Sequence, residues 1–416
     1  MKKFERQAQS QRKHGPLVAS SVSKAPPPPP RSRPGWTGPG YVKKVARKHD
    51  LSSASPASAP SIQDQLLSLE LHQLMLNVIQ DTFPASHDYE ALKPVLSHVN
   101  NALLRKDFET AFGADTFLEA YAVRWSPSRA LAYSNLLAQV CEQTADGSWV
   151  RRWTGLGGTT SAKVLCFGGG AAEIVAFAGL LRHEKKSSAG RASASPAAQL
   201  EQVTDSPPHG AYLDVHLVDA ADWSTVVSKL QVGLTTPPNL SKYASAAARA
   251  SNAAFLSLQA LQPNFTRADV FVLTLEDLRS LVGSEVPFIT LFFTLNDLYT
   301  VSIRNTTAFL RRLTIAVPKG SLLLVVDHPE AASSAGSAQE GDEKGDKNKE
   351  YPMSWLLNKA LLPTMEKVED GQERLQPLWK TLIHDANRLY KLPDKALNYP
   401  VSLENLKLQV HLFERL

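Results

Sequence analysis

The chain has 416 residues, 43% hydrophobic and 20% charged, which is the balance of a globular protein and excludes a fibre or a wholly disordered chain. Its two cysteines, Cys141 and Cys166, offer no disulfide framework and no zinc-binding spacing, so we expect a reducing compartment and no metal. No apolar run approaches the roughly 20 residues of a transmembrane helix, and no signal-peptide pattern is present, so we expect no membrane partner.

The first 60 residues differ from the rest in charge and composition. They hold 12 Lys and Arg, two acids and ten of the 27 prolines, so they carry +10 while the remainder carries −5. Such a segment buries too little apolar surface to fold, and residues 1–60 are predicted to be a disordered basic arm. Its Lys and Arg clusters suit a nuclear address or phosphate contacts; the alternative is a tail that only aids solubility.

Residues 61–150 carry helical periodicity and predict a small helical subdomain. The predicted helices begin at a Ser61 cap, span residues 89–104 and 115–122, and run from a Ser128 cap to Cys141.

From Lys163 onward, short apolar runs alternate with helical stretches, the pattern of an α/β fold with a mostly parallel central sheet. The predicted strands are 163–167, 213–218, one ending near 265, 288–294, 321–326 and 406–413. Low-complexity segments at 184–210 and 330–350 are predicted to be surface insertions. Residues 151–416 are therefore predicted to form one Rossmann-like domain.

A glycine turn, Gly168, Gly169 and Gly170, joins the first predicted strand to an apolar helix. This arrangement lets a cofactor approach the backbone at a helix N-terminus, although glycines also serve purely structural strand-to-helix turns. In nucleotide-binding folds an acid about 20 residues later holds the ribose. Asp219 lies 49 positions after Gly170, or 22 once the 27 residues of 184–210 are left out.

Two further acids refine the cofactor prediction. Asp269 follows the weak third strand, where an adenine-recognising side chain would lie, unless it is a solvated loop acid. Glu173 occupies the place of the third glycine in a dinucleotide motif, where a negative charge opposes a pyrophosphate. S-adenosylmethionine has a positive sulfonium and no phosphate, so these residues favour a methyltransferase over a dehydrogenase. Thr294, at the end of the fourth strand, is predicted to join the cofactor contacts.

The residues after the fourth strand bear on the reaction type. Neither cysteine is placed to attack a pyrimidine ring, and Thr294-Leu295-Asn296-Asp297 stands where amine methylases have Asn-Pro-Pro-Tyr. The Lys-Asp-Lys-Glu set of ribose methylases is incomplete, which leaves ring-nitrogen methylation. Asn296 and Asp297 are the candidate catalytic pair, since a proton must leave the ring nitrogen; alternatively, Asp297 caps a helix over 298–312. Asp327 and His328 are further candidates on the same edge.

Several sequence blocks together resemble one family. They are Val-Leu-Cys-Phe-Gly-Gly-Gly-Ala at 164–171, Val-Asp-Ala-Ala-Asp-Trp-Ser at 218–224, Phe-Thr-Leu-Asn-Asp-Leu-Tyr at 293–299, Gly-Ser-Leu-Leu-Leu-Val-Val-Asp at 320–327, Tyr-Pro-Met-Ser-Trp-Leu-Leu at 351–357, the segment 403–412, and Arg-Trp-Ser-Pro-Ser-Arg-Ala-Leu-Ala-Tyr at 124–133. Over about residues 62–416 the chain resembles the fungal 25S ribosomal RNA uracil-N3 methyltransferases.

The resemblance implies a class I methyltransferase fold, S-adenosylmethionine as donor, and N3-methylation of one uridine in large-subunit rRNA, free or in a pre-60S particle. It places Gly168–Gly170 and Asp219 at the cofactor. The chain departs from the general methyltransferase motif at Cys166, where an acid is common, and at Ala172, where a third glycine is common. Glu173 is then the candidate contact for the methionine amino group.

For RNA contact the candidates are the basic arm and Arg124, Trp125, Arg129 and Tyr133, because cations and aromatic rings suit phosphates and unstacked bases. Burial of Trp125 is the alternative. Residues 151–153 are a second possible patch. The expected location is the nucleus or nucleolus, with the cytoplasm left open. Two rival hypotheses remain: a non-catalytic ribosome-assembly factor that uses the fold as an RNA platform, and a small-molecule methyltransferase.

Overall fold

A computed structural model describes residues 61–62, 65–144, 161–194, 212–329, 351–367, 373–393 and 396–416. The predicted arm over 1–60, the patch at 151–153 and the predicted insertion over 330–350 lie outside these residues. The boundary at residue 150 also lies outside them, so the division between a helical and a catalytic domain stays a prediction. Residues 56–416 cluster as one compact unit.

Helices of the described residues cover both faces of a sheet. The α-helices are α1 Leu69–Thr82, α2 Tyr89–Leu104, α3 Phe108–Phe112, α4 Asp115–Arg124, α5 Ser126–Gln143, α6 Ala171–Ala194, α7 Ser224–Thr235, α8 Ala246–Ala250, α9 Leu275–Val282, α10 Leu295–Val301, α11 Ile303–Ala316 and α12 Met353–Leu361. The strands are β1 Ser61–Ile62, β2 Ser161–Phe167, β3 Tyr212–Asp219, β4 Leu261–Arg267, β5 Phe288–Phe292, β6 Leu322–Asp327, β7 Pro363–Lys367, β8 Glu373–Pro377, β9 Trp379–Tyr390 and β10 Leu406–Arg415.

The main sheet has the order β1-β9-β10-β6-β5-β2-β3-β4, and β7 pairs with β8 in a separate two-stranded ribbon. Neighbours from β4 to β6 pair in parallel, whereas β10 is antiparallel to both β6 and β9. The order reverses at β2, which lies between β3 and β5. In open α/β sheets, ligands bind at this reversal, outside the carboxyl ends of the strands.

The sheet separates two hydrophobic clusters. One contains α1, α5, α6 and α7 together with one face of the sheet, and the other contains α9 to α12 with the opposite face. The contact between α1 and α6 is close: a Cβ on Gly179 would lie 2.7 Å from Sδ of Met75. The N-terminal helices thus share a core with the sheet and are fixed against it. The predicted mostly parallel α/β fold is confirmed.

Local details differ from the predictions. Ser61 lies in β1, and Ser68 caps α1 instead by accepting from the N–H of Leu71. Ser128 lies inside α5, where its hydroxyl accepts from the N–H of Glu404. The helix after the glycine turn continues to Ala194, into the segment predicted as an insertion, because its Lys, Ser and Ala residues tolerate helix.

Strand β9 was not predicted, because its sequence, Trp-Lys-Thr-Leu-Ile-His-Asp-Ala-Asn-Arg-Leu-Tyr, lacks a continuous apolar run. It lies near one edge of the sheet, and most of its side chains are at least partly exposed. An outer strand needs fewer apolar residues than a strand that is buried on both faces.

Candidate functional site

The carboxyl ends of β2 to β6 open into a cavity of about 730 Å³, within the usual range for small-molecule sites. The predicted site residues that line it are Gly168, Gly170, Glu173, Asp219, Asp269, Thr294, Asn296, Asp297, Asp327, His328, Arg129 and Tyr133. The structure therefore brings twelve separately predicted residues to one cavity. Of the other predicted site residues that it describes, Gly169, Arg124 and Trp125 are not among those that line this cavity.

The glycine turn at the end of β2 is packed against protein atoms. Gly168 has φ +73°, in the left-handed region that favours glycine, and a Cβ there would lie 2.1 Å from Oγ1 of Thr294. A Cβ on Gly169 would lie 2.6 Å from Cβ of Cys166, and one on Gly170 would lie 3.2 Å from the Trp223 ring. The turn thus needs glycine for its own packing, and the backbone of Gly168 and Gly170 is left facing the cavity.

Glu173 closes the N-terminus of α6. Its Oε2 accepts a hydrogen bond of 2.8 Å from the N–H of Gly170, the residue before the helix. The side chain is 5% exposed, and burial raises its pKa, while the Gly170 bond and the charge of Arg129 act in the opposite direction. The predicted contact of Glu173 with the methionine amino group of the cofactor stays a prediction.

Asp219 ends β3 beside the glycine turn, and Asp269 follows β4. Oδ1 of Asp219 accepts from the N–H of Ala221 at 2.7 Å, and burial raises the pKa of this carboxyl to about 7. Asp269 is exposed, and its Oδ1 accepts from the N–H of Phe271 at 2.9 Å. The two acids lie at neighbouring strand ends, where the ribose and adenine of a nucleoside would be expected.

Because the pKa of Asp219 is raised to about 7, the affinity for S-adenosylmethionine should differ between pH 6 and pH 8. If its carboxylate holds ribose hydroxyls, S-adenosylmethionine should bind more weakly at pH 6, where the carboxyl is protonated, than at pH 8. Asp219→Asn should flatten this dependence, and Asp219→Ala should weaken binding about 10- to 150-fold at pH 8, the loss of about 1.5–3 kcal/mol for a hydrogen bond to a charged group. Calorimetry at both pH values measures this; unchanged affinity in Asp219→Ala contradicts the assignment.

The ionisation of Asp219 also makes the free energy of unfolding depend on pH. Between the ordinary Asp pKa of 3.8 and about 7, the folded protein holds a proton on Asp219 that the unfolded chain has released. The free energy of unfolding of the cofactor-free protein should therefore fall as pH rises through this interval, and Asp219→Asn should reduce the fall.

Thr294, Asn296 and Asp297 follow β5 on the opposite side of β2 from Asp219. Asp297 lies in the first turn of α10, which ends at Val301, so it does not cap a helix over 298–312 as the alternative prediction required. Burial raises its pKa, while the charges of Lys106 and Arg129 lower it. The hydroxyl of Thr294 donates to the carbonyl of Phe292 at 3.0 Å.

Asp327 is the last residue of β6, and its carboxylate binds the backbone of two other residues of the site. It is 1% exposed, its Oδ2 accepts from the N–H of Asn296 at 2.9 Å, and its Oδ1 accepts from the N–H of His328 at 2.8 Å. Burial raises its pKa to about 7. With both oxygens used on backbone groups, Asp327 positions its neighbours and is poorly placed to remove a substrate proton.

The residues predicted to bind RNA lie in different settings. Arg129 contacts the hydroxyl of Tyr121 and lies over the Phe293 ring, 4.5 Å from Cζ to the ring centroid, inside the cavity wall. Tyr133 is 1% exposed and also lines the cavity, so its contact with RNA stays a prediction.

Arg124 and Trp125 lie at the C-terminal end of α4. Arg124 forms an ion pair with Glu404 and donates to the carbonyl of Ser402 at 3.3 Å, so its charge already has a protein partner. Trp125 is half-buried, with its ring 5.1 Å from that of Tyr121. RNA contact at these two residues stays a prediction.

One feature that sequence reasoning missed is the cover that α2 to α5 make over the cavity. Lys106 reaches across to α10, where its Nζ donates to Oγ1 of Thr300 at 3.0 Å. The Tyr121 ring packs edge-to-face against Phe112 and Trp223, at 5.2 and 5.9 Å. The periodicity predicted these helices, but no local signal indicates which of their faces covers a distant glycine turn.

Among the described residues, no helix has the length and apolar character that crossing a membrane requires. Within the same residues, no three His, Cys, Asp or Glu side chains come together as a possible metal site.

The chain is similar to proteins of known class. A family model described as "Putative SAM-dependent methyltransferase" matches residues 79–414. The 25S rRNA (uridine(2843)-N(3))-methyltransferase of Saccharomyces cerevisiae is 29% identical over 351 residues, which cover 81% of this chain and 82% of that protein.

Among solved structures, N-methyltransferase NodS from Bradyrhizobium japonicum WM9, in complex with S-adenosyl-L-homocysteine, is 10% identical with a TM-score of 0.27, covering 66% of this chain and 90% of NodS. Magnesium protoporphyrin IX methyltransferase ChlM from Synechocystis PCC 6803, with bound SAH, is 12% identical with a TM-score of 0.31, covering 76% and 99%.

Proposed function

The chain belongs to this family of SAM-dependent methyltransferases, and from that premise we propose that it methylates N3 of a uridine in large-subunit, 25S-type rRNA. The observation that carries the substrate assignment is the similarity, over 351 residues, to the yeast uridine-N3 methyltransferase. The cavity supports this assignment, because Asp219 and Asp269 lie on one side of β2, where a nucleoside cofactor is expected, and the carboxyl group of Asp297 lies on the other side.

The residues present fit S-adenosylmethionine. The backbone of Gly168 and Gly170 would lie along its methionine part, with Thr294 and Glu173 beside it, and Asp219 and Asp269 would hold ribose and adenine. Bound S-adenosylmethionine supplies an electrophilic methyl group. Acidic residues around the turn suit a ligand with a positive sulfonium and an amino group better than one with a pyrophosphate.

The chain's own contribution to the reaction is the removal of a proton. The lone pair of uracil N3 is available only after its N–H proton leaves, and a carboxylate whose pKa lies above the ordinary Asp value is a stronger base than an ordinary Asp. Asp297 has that raised pKa and lines the cavity, and we assign it this role. Asn296 lies beside it, held through its backbone by Asp327.

For the RNA, we propose that residues 1–60 contribute phosphate contacts through their +10 charge, and that Arg124 and Trp125 are further RNA contacts. The natural substrate is then rRNA or a pre-60S particle, and the same basic clusters suit delivery to the nucleus or nucleolus.

The test is nucleoside mass spectrometry of large-subunit rRNA from cells with and without this protein. We expect 3-methyluridine to fall in its absence and to return with the wild type but not with a Gly168 variant. If no methylated nucleoside changes, the proposal fails. Binding of S-adenosylmethionine to the purified protein then separates a methyltransferase with another substrate from a non-catalytic assembly factor.

A further inference from the structure

His328 lines the cavity directly after β6, and two hydrogen bonds hold its backbone. Its N–H donates to Oδ1 of Asp327 at 2.8 Å, and its carbonyl accepts from Nε2 of Gln409 at 2.5 Å. Asp327 and Gln409 are 1% and 0% exposed, so both partners are fixed in the core. These bonds engage only the backbone of His328, and they fix the point from which its side chain extends.

Phe293 supports the ring from the neighbouring strand. The two ring centroids are 4.5 Å apart at 76°, an edge-to-face pair. Phe293 follows β5 with φ 52°, a left-handed conformation that a bulky residue seldom adopts, and its N–H donates to the carbonyl of Val326 at 2.7 Å. Strained residues of this kind concentrate at functional sites. Arg129 lies over the same Phe293 ring.

The His328 ring itself remains accessible. His328 is an exposed residue that lines the cavity, and its ring makes no hydrogen bond with any residue that the structure describes. Partial desolvation among the cavity residues and the charge of Arg129 lower the pKa of the imidazole, which favours the neutral ring. An edge-to-face pair also leaves at least one face of the imidazole uncovered by Phe293.

We propose that His328, supported by Phe293, is the surface on which the target base stacks once it has left its own stack and entered the cavity. The ligand class is an unpaired pyrimidine base in RNA. Enzymes that act on a base turn it into a pocket and hold it against flat side chains, which every base accepts through its π-face. The ring lies on the Asp297 side of the cavity, across β2 from Asp219, so base and nucleoside cofactor do not compete for it.

This inference rests on the proposed function, and the experiment separates the two. The purified full-length protein is assayed for 3-methyluridine formation on large-subunit rRNA from cells that lack it, comparing wild type, His328→Ala, His328→Phe and His87→Ala. His87 is an exposed histidine outside the cavity and serves as the matched control. If the wild type forms no 3-methyluridine, the proposed function fails, whatever the variants do.

If the wild type is active, His328→Ala should lower kcat/KM for RNA about 5- to 150-fold, which corresponds to about 1–3 kcal/mol for one base–aromatic stack. Affinity for S-adenosylmethionine and the melting temperature should stay at wild-type values, because the Asp327 and Gln409 bonds use the backbone. His328→Phe should restore most of the activity. Wild-type kcat/KM in His328→Ala overturns the proposal, and so does an inactive His328→Phe, which would mean that imidazole chemistry matters instead of stacking.

Discussion

Asp297→Asn is expected to slow methyl transfer about 10²- to 10⁴-fold, the usual contribution of a positioned general base. The amide keeps the size and shape of the side chain but cannot take the N3 proton. The Asp297 side chain makes no hydrogen bond with the residues that the structure describes, so the substitution removes no structural bond among them. This separates Asp297 from Asp327, whose two oxygens hold backbone groups.

The measurement is single-turnover formation of 3-methyluridine with saturating S-adenosylmethionine, together with cofactor affinity by calorimetry. Affinity should be unchanged. In the wild type the rate should rise with pH as the carboxyl ionises, at a pH above the ordinary Asp range because burial raises its pKa, and the dependence should be weaker in the variant. Asp81→Asn, on the exposed surface of α1, controls for the loss of one charge. A wild-type rate in Asp297→Asn would show that Asp297 is not the general base.

Gly168→Ala should abolish measurable cofactor binding or weaken it at least about tenfold. The residue has φ +73°, which costs an L-residue about 1–2 kcal/mol, and the new methyl group would lie 2.1 Å from Oγ1 of Thr294. Either the turn or Thr294 must move, and both border the space assigned to the methionine part of the cofactor. Calorimetry and thermal unfolding together measure the effect.

The chain offers a matched control in Gly233→Ala. A Cβ there would also lie 2.1 Å from a threonine Oγ1, that of Thr82, but Gly233 lies in α7 away from the cavity lining. It should lower the melting temperature while leaving affinity for S-adenosylmethionine intact. If both variants lose stability equally and both still bind the cofactor, the glycine turn is a packing feature only.

Patterns local in sequence predicted the centre of the sheet well. Strands β2, β5 and β6 are buried on both faces, and full burial requires the continuous apolar runs by which they were recognised. Gly168 and Asp219 could be found because a strand that enters a tight turn needs glycine and because parallel strands end at one edge. Strand β9 could not, since an outer strand can be built from polar residues.

The sequence by itself determined the centre of the sheet, the glycine turn and the order of polar residues along the strand ends, because each depends on neighbours within a few positions. Only the tertiary structure decided that α2 to α5 cover the cavity, that Arg129 lies within its wall, and that Phe293 and His328 pair across two strands. These contacts join residues far apart in the chain. They depend on how amphipathic helices pack on a finished sheet, and no local pattern encodes that packing.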